Sequence, residues 1–211
     1  MKKILFTAIT ITLVSMHVKA QEVVDMSNRV TIGAKVGMNY SNVYDTKGDQ
    51  FVAQPKWGFA AGGFLTIPLG HFLGIQPEVL YSQRGFKSTG NLFGEPYDLT
   101  RTTSWIDVPI LLQLKAGPMI TLLAGPQFSY LLKQNDVFNN GITTVTQQQT
   151  FENDNLRKNL FCFTGGVDIN LSHLVIGGRV GWDLQNNNGD GSTSTPRYKN
   201  EWYQLSVGFR F

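Results

Sequence analysis

Nine charged residues carry the chemical potential of this sequence: Lys35, Glu78, Arg84, Asp107, Lys115, Asp168, Arg179, Asp183 and Arg210. Each lies in a stretch where every second residue is apolar, and each falls on the other parity. Alternate residues of a strand face opposite sides of a sheet, so the nine share one face. Four are acids and five are bases. Charges confined to a narrow space away from water are costly unless paired. The same residues could instead relay protons or ions. Glycines on their parity, among them Gly37, Gly62, Gly166 and Gly208, leave room for long side chains to cross. The expected arrangement is a structural ion-pair network.

Other candidates for chemistry are sparse. A hydrolase of the acyl-transfer kind needs a His beside a Ser or an acid. Past residue 20 the only histidines are His71 and His173, and both fall in tight turns without an obvious partner. Glu152 and Asp154 read as a solvated loop tip. The run from Asn186 to Gly191 has the oxygen ligands and glycine of a calcium loop but not its spaced terminal Glu. Gly165-Gly166 and Gly177-Gly178 sit inside strand patterns, where Gly marks a bend or close packing. The single cysteine, Cys162, lies on the charged parity as a small filler. The sequence therefore predicts no catalytic residue, no cofactor, no metal site and no enzyme activity.

The elements that position the nine charges are eight alternating segments, at residues 30–41, 57–67, 72–86, 102–115, 119–133, 159–171, 174–185 and 202–211. Val30, Ile32, Ala34, Val36, Met38 and Tyr40 form the clearest apolar row. Most segments reach the roughly 9–11 residues with which a tilted strand crosses a bilayer, against about 5–6 in soluble proteins. Links near Gly70-His71, Ala116-Gly117-Pro118 and Ser172-His173 are tight, whereas those at about 42–56, 87–101, 134–158 and 186–201 are long and polar. Short periplasmic turns and long outer loops characterise membrane barrels. The predicted fold is all-β: an eight-stranded antiparallel up-and-down transmembrane β-barrel. Tyr40, Trp57, Tyr81, Tyr130, Trp182 and Tyr203 would form interfacial girdles, while Trp105 and Trp202 would pack the lumen.

Composition agrees. Charged residues make up 16%, against about 25% in soluble domains. Lys2 and Lys3, an apolar run to Met16 and the small residue Ala20 read as a cleaved export signal over 1–20. Residues 21–29 would be a short periplasmic segment, and 30–211 the barrel. Lys2, Lys3 and Lys19 account for the whole formal charge of +3, so nucleic acid is not an expected partner. Phe211 ends the last apolar row, as an aromatic commonly does in barrels recognised by the assembly machinery.

The motifs resemble the PorT-like outer-membrane β-barrel proteins of the Bacteroidota. The matching pieces are Gly33-Ala-Lys-Val-Gly37-Met-Asn39-Tyr-Ser41, Pro77-Glu78-Val-Leu-Tyr81-Ser-Gln-Arg84-Gly85 and Trp105-Ile-Asp-Val-Pro109-Ile-Leu-Leu112. Ala124-Gly125-Pro126-Gln-Phe128-Ser-Tyr130-Leu-Leu132 and Leu205-Ser-Val-Gly208-Phe-Arg-Phe211 complete the set. The resemblance implies fold and an outer-membrane location, and carries no activity. The expected function is a non-enzymatic barrel with a plugged lumen and a structural or surface-interaction role. Its partners would be outer-membrane lipid, the assembly machinery through the Phe211 strand, and a protein or glycan at the outer loops. Loop 134–158, with Phe138, Phe151 and Gln147–Gln149, is the best contact. The alternatives are a small transport pore or secretion-associated barrel, and a soluble periplasmic lipocalin-like carrier of an apolar ligand.

Overall fold

The computed structural model describes residues 29–45, 53–92, 95–139, 144–149, 157–187 and 198–211. The expected export signal over 1–20, Phe151, Glu152, Asp154 and most of the Asn186–Gly191 run lie outside the described residues.

Among the described residues there are nine strands: β1 Thr31–Asp45, β2 Ala53–Pro68, β3 Leu73–Leu92, β4 Glu95–Lys115, β5 Ile120–Asn139, β6 Thr144–Gln149, β7 Asn159–Leu171, β8 Leu174–Asp183 and β9 Tyr198–Arg210. Eight close into a ring. Each is antiparallel to the next, and β1 meets β9 from Gly33↔Arg210 to Asp45↔Tyr198. β6 lies outside the ring and, among the described residues, pairs only with the far end of β5, from Gln134↔Gln149 to Asn139↔Thr144. Closure leaves no lipid-exposed edge with unpaired backbone groups, the condition for crossing a bilayer with strands.

Alternation in the sequence becomes two faces in space. Along β5 from Ile120 to Tyr130, and along β9 from Trp202 to Arg210, exposed and buried residues alternate without a break. The exposed row is the apolar one: Val36, Met38, Leu205 and Val207 are each about half exposed or more. The buried row is polar and turns inward. Regularity fails where the sequence withholds a donor or adds a residue. The β2–β3 ladder shifts between Pro55 and Ala60. Leu132 is unpaired opposite Ser104 and Trp105, so the parity switches beyond it: Leu131 ends the inward row, Lys133 faces out and Gln134 turns in. The ladders also skip beside Pro77, Pro109 and Pro126, which have no N–H to give.

One end carries the tight links. Leu69 N–H donates to Leu73 O at 2.9 Å, and Ala116 N–H to Ile120 O at 2.9 Å. Ser172 takes a φ of 56° in the two-residue β7–β8 turn, an uncommon backbone for a residue with a Cβ. The apolar band runs from there to a belt of rings. Tyr40 stands 4.9 Å from Trp57, with Tyr203 directly across the β1–β9 seam. On β1 and β2 the band covers Ile32–Tyr40 and Trp57–Ile67.

Beyond the belt the strands continue further than the sequence pattern implies. Residues 87–92, 95–101, 134–139 and 144–149 are strand rather than loop. They build a projecting sheet of β3, β4, β5 and β6. Past the lipid there is no apolar face to maintain, so alternation stops being a requirement while backbone pairing goes on.

Candidate functional site

The inward row forms tiers from the turn end to the mouth. At the turn end Lys115 Nζ donates to Gly70 O at 3.4 Å, and Arg210 Nε to Ser172 O at 2.8 Å. Arg210 also reaches Asn170 Oδ1 at 3.2 Å. Between them lies a cavity of ≈ 20 Å³ lined by Gln76, Gln113, Thr121 and Asp168 among others, about the space of one water.

Above it sits the first charge cluster. Lys35 pairs with Glu78. Arg179 grips Asp168 with two bonds, at 2.7 and 2.9 Å, and lies 3.9 Å from Glu78. Gln76 donates to the other Glu78 oxygen at 2.7 Å. A planar guanidinium suits this two-pronged contact. Glycine makes the crossing possible: a Cβ on Gly166 would stand 2.8 Å from Arg179 Cδ and 2.0 Å from Gly178 O.

A neutral layer follows, in which Gln204 donates to Asn39 Oδ1 at 2.9 Å and Asn39 to Ser82 Oγ at 2.8 Å. The second charge cluster comes next. Arg84 pairs with Asp107, whose other oxygen takes Ser129 Oγ at 2.7 Å. The Arg84 guanidinium carbon lies 3.6 Å from the Trp202 ring centre and 5.6 Å from that of Trp105. Among the described residues its Nε and Nη1 have no hydrogen-bond partner; ring faces stand where acceptors would, a cation–π arrangement. Trp105, Trp202, Leu131, Leu160 and Cys162 form the apolar packing here.

All nine predicted charges are buried, and the two tryptophans line the lumen as the parity requires. One pairing expectation needs correction. Asp183 does not take an ion pair among the described residues. Its donors are neutral: Cys162 Sγ at 3.2 Å, Asn187 Nδ2 at 3.1 Å, and the Asn200 backbone and side chain. Its level is the mouth, where the β8–β9 connection supplies amides and Arg84 is already committed to Asp107. His71 is exposed in the β2–β3 turn. His173 stacks on Phe209 at 5.5 Å with Nδ1 2.9 Å from Arg210 O.

Above the charged tiers an apolar cluster of Val43, Phe86 and Tyr198 closes over the lumen wall. Arg101 then binds both oxygens of Asp136 at 2.8 Å and Tyr198 Oη at 3.0 Å. Sequence reading missed this cluster, although Val43 and Phe86 lie on the inward parity and could have been noticed as apolar residues in a polar row. Phe138, expected in a loop, is on β5 and stacks on Tyr97 at 5.4 Å. Among the described residues no group of three His, Cys, Asp or Glu side chains is placed to hold a metal.

The family model for the outer membrane protein beta-barrel domain matches residues 19–189. Among solved structures, Ail, the attachment invasion locus protein of Yersinia pestis, in complex with the heparin analogue sucrose octasulfate, superposes with a TM-score of 0.50 at 11% identity, over 87% of this chain and 99% of that one. Neisserial surface protein A gives a TM-score of 0.50 at 9% identity, over 85% of this chain and 97% of that one. At these identities the likeness is one of fold. Comparison with curated proteins gives no match.

Proposed function

The chain belongs to the outer membrane protein beta-barrel domain family, and from that premise we propose a non-enzymatic barrel whose lumen is plugged by its own ion pairs and whose long-connection end meets a partner outside the cell. One observation carries the reading. The row that alternates with a half-exposed apolar row consists of buried charges and amides bonded to one another from Lys115 to Asp183. An eight-stranded barrel has an interior just wide enough for side chains to fill. A cavity at the turn end, ≈ 20 Å³, is too small for a hydrated ion. An apolar ligand would find no apolar lumen to enter.

The projecting sheet of β3–β6 is the contact surface in this reading, in place of the 134–158 segment read as a loop. The assembly machinery would meet the β9 end, where Phe211 is 68% exposed and its N–H donates to Ile32 O at 2.8 Å. Export through a cleaved signal and PorT-like membership rest on the sequence motifs alone. The test is conductance of purified protein in planar bilayers. The proposal expects no steady unitary current; reproducible single-channel steps would replace it with the pore.

A further inference from the structure

The projecting sheet is joined to the ring less completely than its own strands are joined to each other. On the β5 side the ladder with β7 ends at Tyr130↔Asn159, and from Gln134 upward β5 pairs with β6 instead. On the β3 side, among the described residues, the β1–β2 ladder ends at Ser41↔Lys56, and the β2–β3 ladder skips from Ala60↔Ser82 to Pro55↔Phe86. Between these flanks Leu132 is the extra residue opposite Ser104 and Trp105. An extra residue bends its strand and interrupts pairing. The ladders are thus ended or interrupted along one line across the strands, beside Tyr81 and Tyr130. The β3–β4 ladder runs through that line intact, from Leu80↔Asp107 to Leu92↔Glu95.

Above that line, contacts across the mouth converge on Tyr198. β4 and β9 are opposite walls, separated by β3, β2 and β1 one way and by β5, β7 and β8 the other. Arg101 of β4 nevertheless donates from Nη1 to Tyr198 Oη of β9 at 3.0 Å. The rest of its fork holds Asp136 on β5 at 2.8 Å. The Tyr198 ring meets Phe86 of β3 edge-on at 5.5 Å. Tyr198 itself is fixed to the low wall, because its carbonyl accepts from Asn187 N–H at 3.1 Å and from Asn187 Nδ2 at 3.2 Å. Nearer the line, Ser41 Oγ exchanges bonds with the Gly85 backbone at 2.9 and 3.0 Å, which holds the base of the sheet and not its tip. Asn42 Nδ2 reaches Ala53 O at 3.4 Å, a long and weak contact.

We propose that the projecting sheet is a hinged flap, with the ladder breaks as its hinge and Tyr198 as the post that latches it over the mouth. A hinge is a few residues that absorb a backbone change between rigid parts. Here the rigid parts are the membrane ring and the paired upper strands of β3–β6. Latched, the flap turns Tyr97, Leu99 and Phe138 toward the mouth: the first two share the parity of Arg101, and Phe138 is paired with Leu99. Released, it turns that face to the outside. The inference deepens the contact role proposed above by naming the face that release presents. It is read without a partner, so its failure and the failure of that role are separate results.

Double electron–electron resonance on the full chain in lipid vesicles tests it, with spin labels at Asp98 on the flap and Leu205 on the opposite wall. Both positions are exposed, and buried Cys162 does not compete for the label. The lever from Ser104 to Asp98 is about 20 Å long, so a swing of about 10° carries that label roughly 3–4 Å. The natural chain should give one narrow distance. Tyr198→Phe keeps the ring against Phe86 and removes the hydroxyl, and should broaden the distribution toward longer distances by about that much. Arg101→Gln, which cuts the same bond from the other wall, should match it, and Tyr198→Ala should broaden it further. Labels at Ile110 and Leu205, both in the membrane band, should report one distance in every variant. An Asp98–Leu205 distribution unchanged in Tyr198→Phe and Arg101→Gln overturns the proposal. Equal broadening of the Ile110–Leu205 pair overturns it too, because the whole barrel would then have loosened.

Discussion

Glu78→Gln isolates the value of the lumen network. Glu78 accepts from Lys35 and Gln76 and lies 3.9 Å from Arg179. The amide keeps the shape and removes the charge. Arg179 retains its two bonds to Asp168, but Lys35, 7% exposed, is left as a buried cation without its acid. Breaking a buried pair by neutralising one partner costs roughly 3–5 kcal/mol. Removing both charges is much cheaper, because the desolvation penalty goes with them. Lys35→Met added to Glu78→Gln should therefore recover most of the loss and leave the double variant within about 1–2 kcal/mol of the natural chain. The assay is denaturant unfolding in lipid vesicles followed by tryptophan emission, which reports on Trp105 and Trp202 inside the barrel. If Glu78→Gln costs under about 0.5 kcal/mol, the level of an exposed pair, the charges are hydrated and the network reading is wrong. A double variant that loses the sum of the two singles would refute it equally.

Further outcomes follow from the same geometry. Gly181→Ala would put a Cβ 2.3 Å from the Trp202 ring, so Trp202 must leave Arg84, with a loss of about 1–3 kcal/mol and a changed near-ultraviolet dichroism. Gly117→Ala meets nothing within 4 Å and should leave unfolding unchanged or raise stability by about 0.4–1 kcal/mol. Cys162, fully buried with Ser129 and Asp183 on its sulfur, should resist maleimide in the folded barrel and react on unfolding; fast labelling of folded protein contradicts the packed lumen. Tyr198 lies above the membrane band, and burial raises its phenol pKa while Arg101 pulls it back. The folded state holds that proton more firmly than the unfolded chain. Its contribution is therefore complete below the ordinary tyrosine value and is lost as pH rises through the folded one. Absorbance titration of Tyr198→Phe should lose one of the late-titrating phenols of the natural chain, and an unchanged curve in that variant would contradict the assignment.

The two faces were legible because lipid demands a strict period of two. Val36 and Lys35 report opposite environments on adjacent residues, and no register is needed to see it. Which charges pair was not legible. Lys35 sits opposite Gly62 on β2, while Glu78 sits opposite Phe64 from β3, so their contact spans two ladders and depends on barrel shear. Asp183 was expected in a salt bridge because its parity is right, but its height at the mouth puts it among the amides of the β8–β9 connection. The projecting sheet was invisible for the converse reason. Thr144–Gln149 has strand-forming residues without apolar alternation, and a polar stretch of that kind reads as loop until a partner strand is known.

The most direct measurement is site-directed spin labelling in lipid vesicles, comparing dissolved oxygen with a water-soluble nickel chelate as relaxant. Labels at Val36, Leu205, Val207 and Ile110 should collide with oxygen and be shielded from nickel, while labels at Lys87 and Lys133 above the belt should show the reverse. Nickel access at Val36 and Val207 equal to that at Lys87 would mean the apolar row meets water, and the barrel would not be a membrane protein.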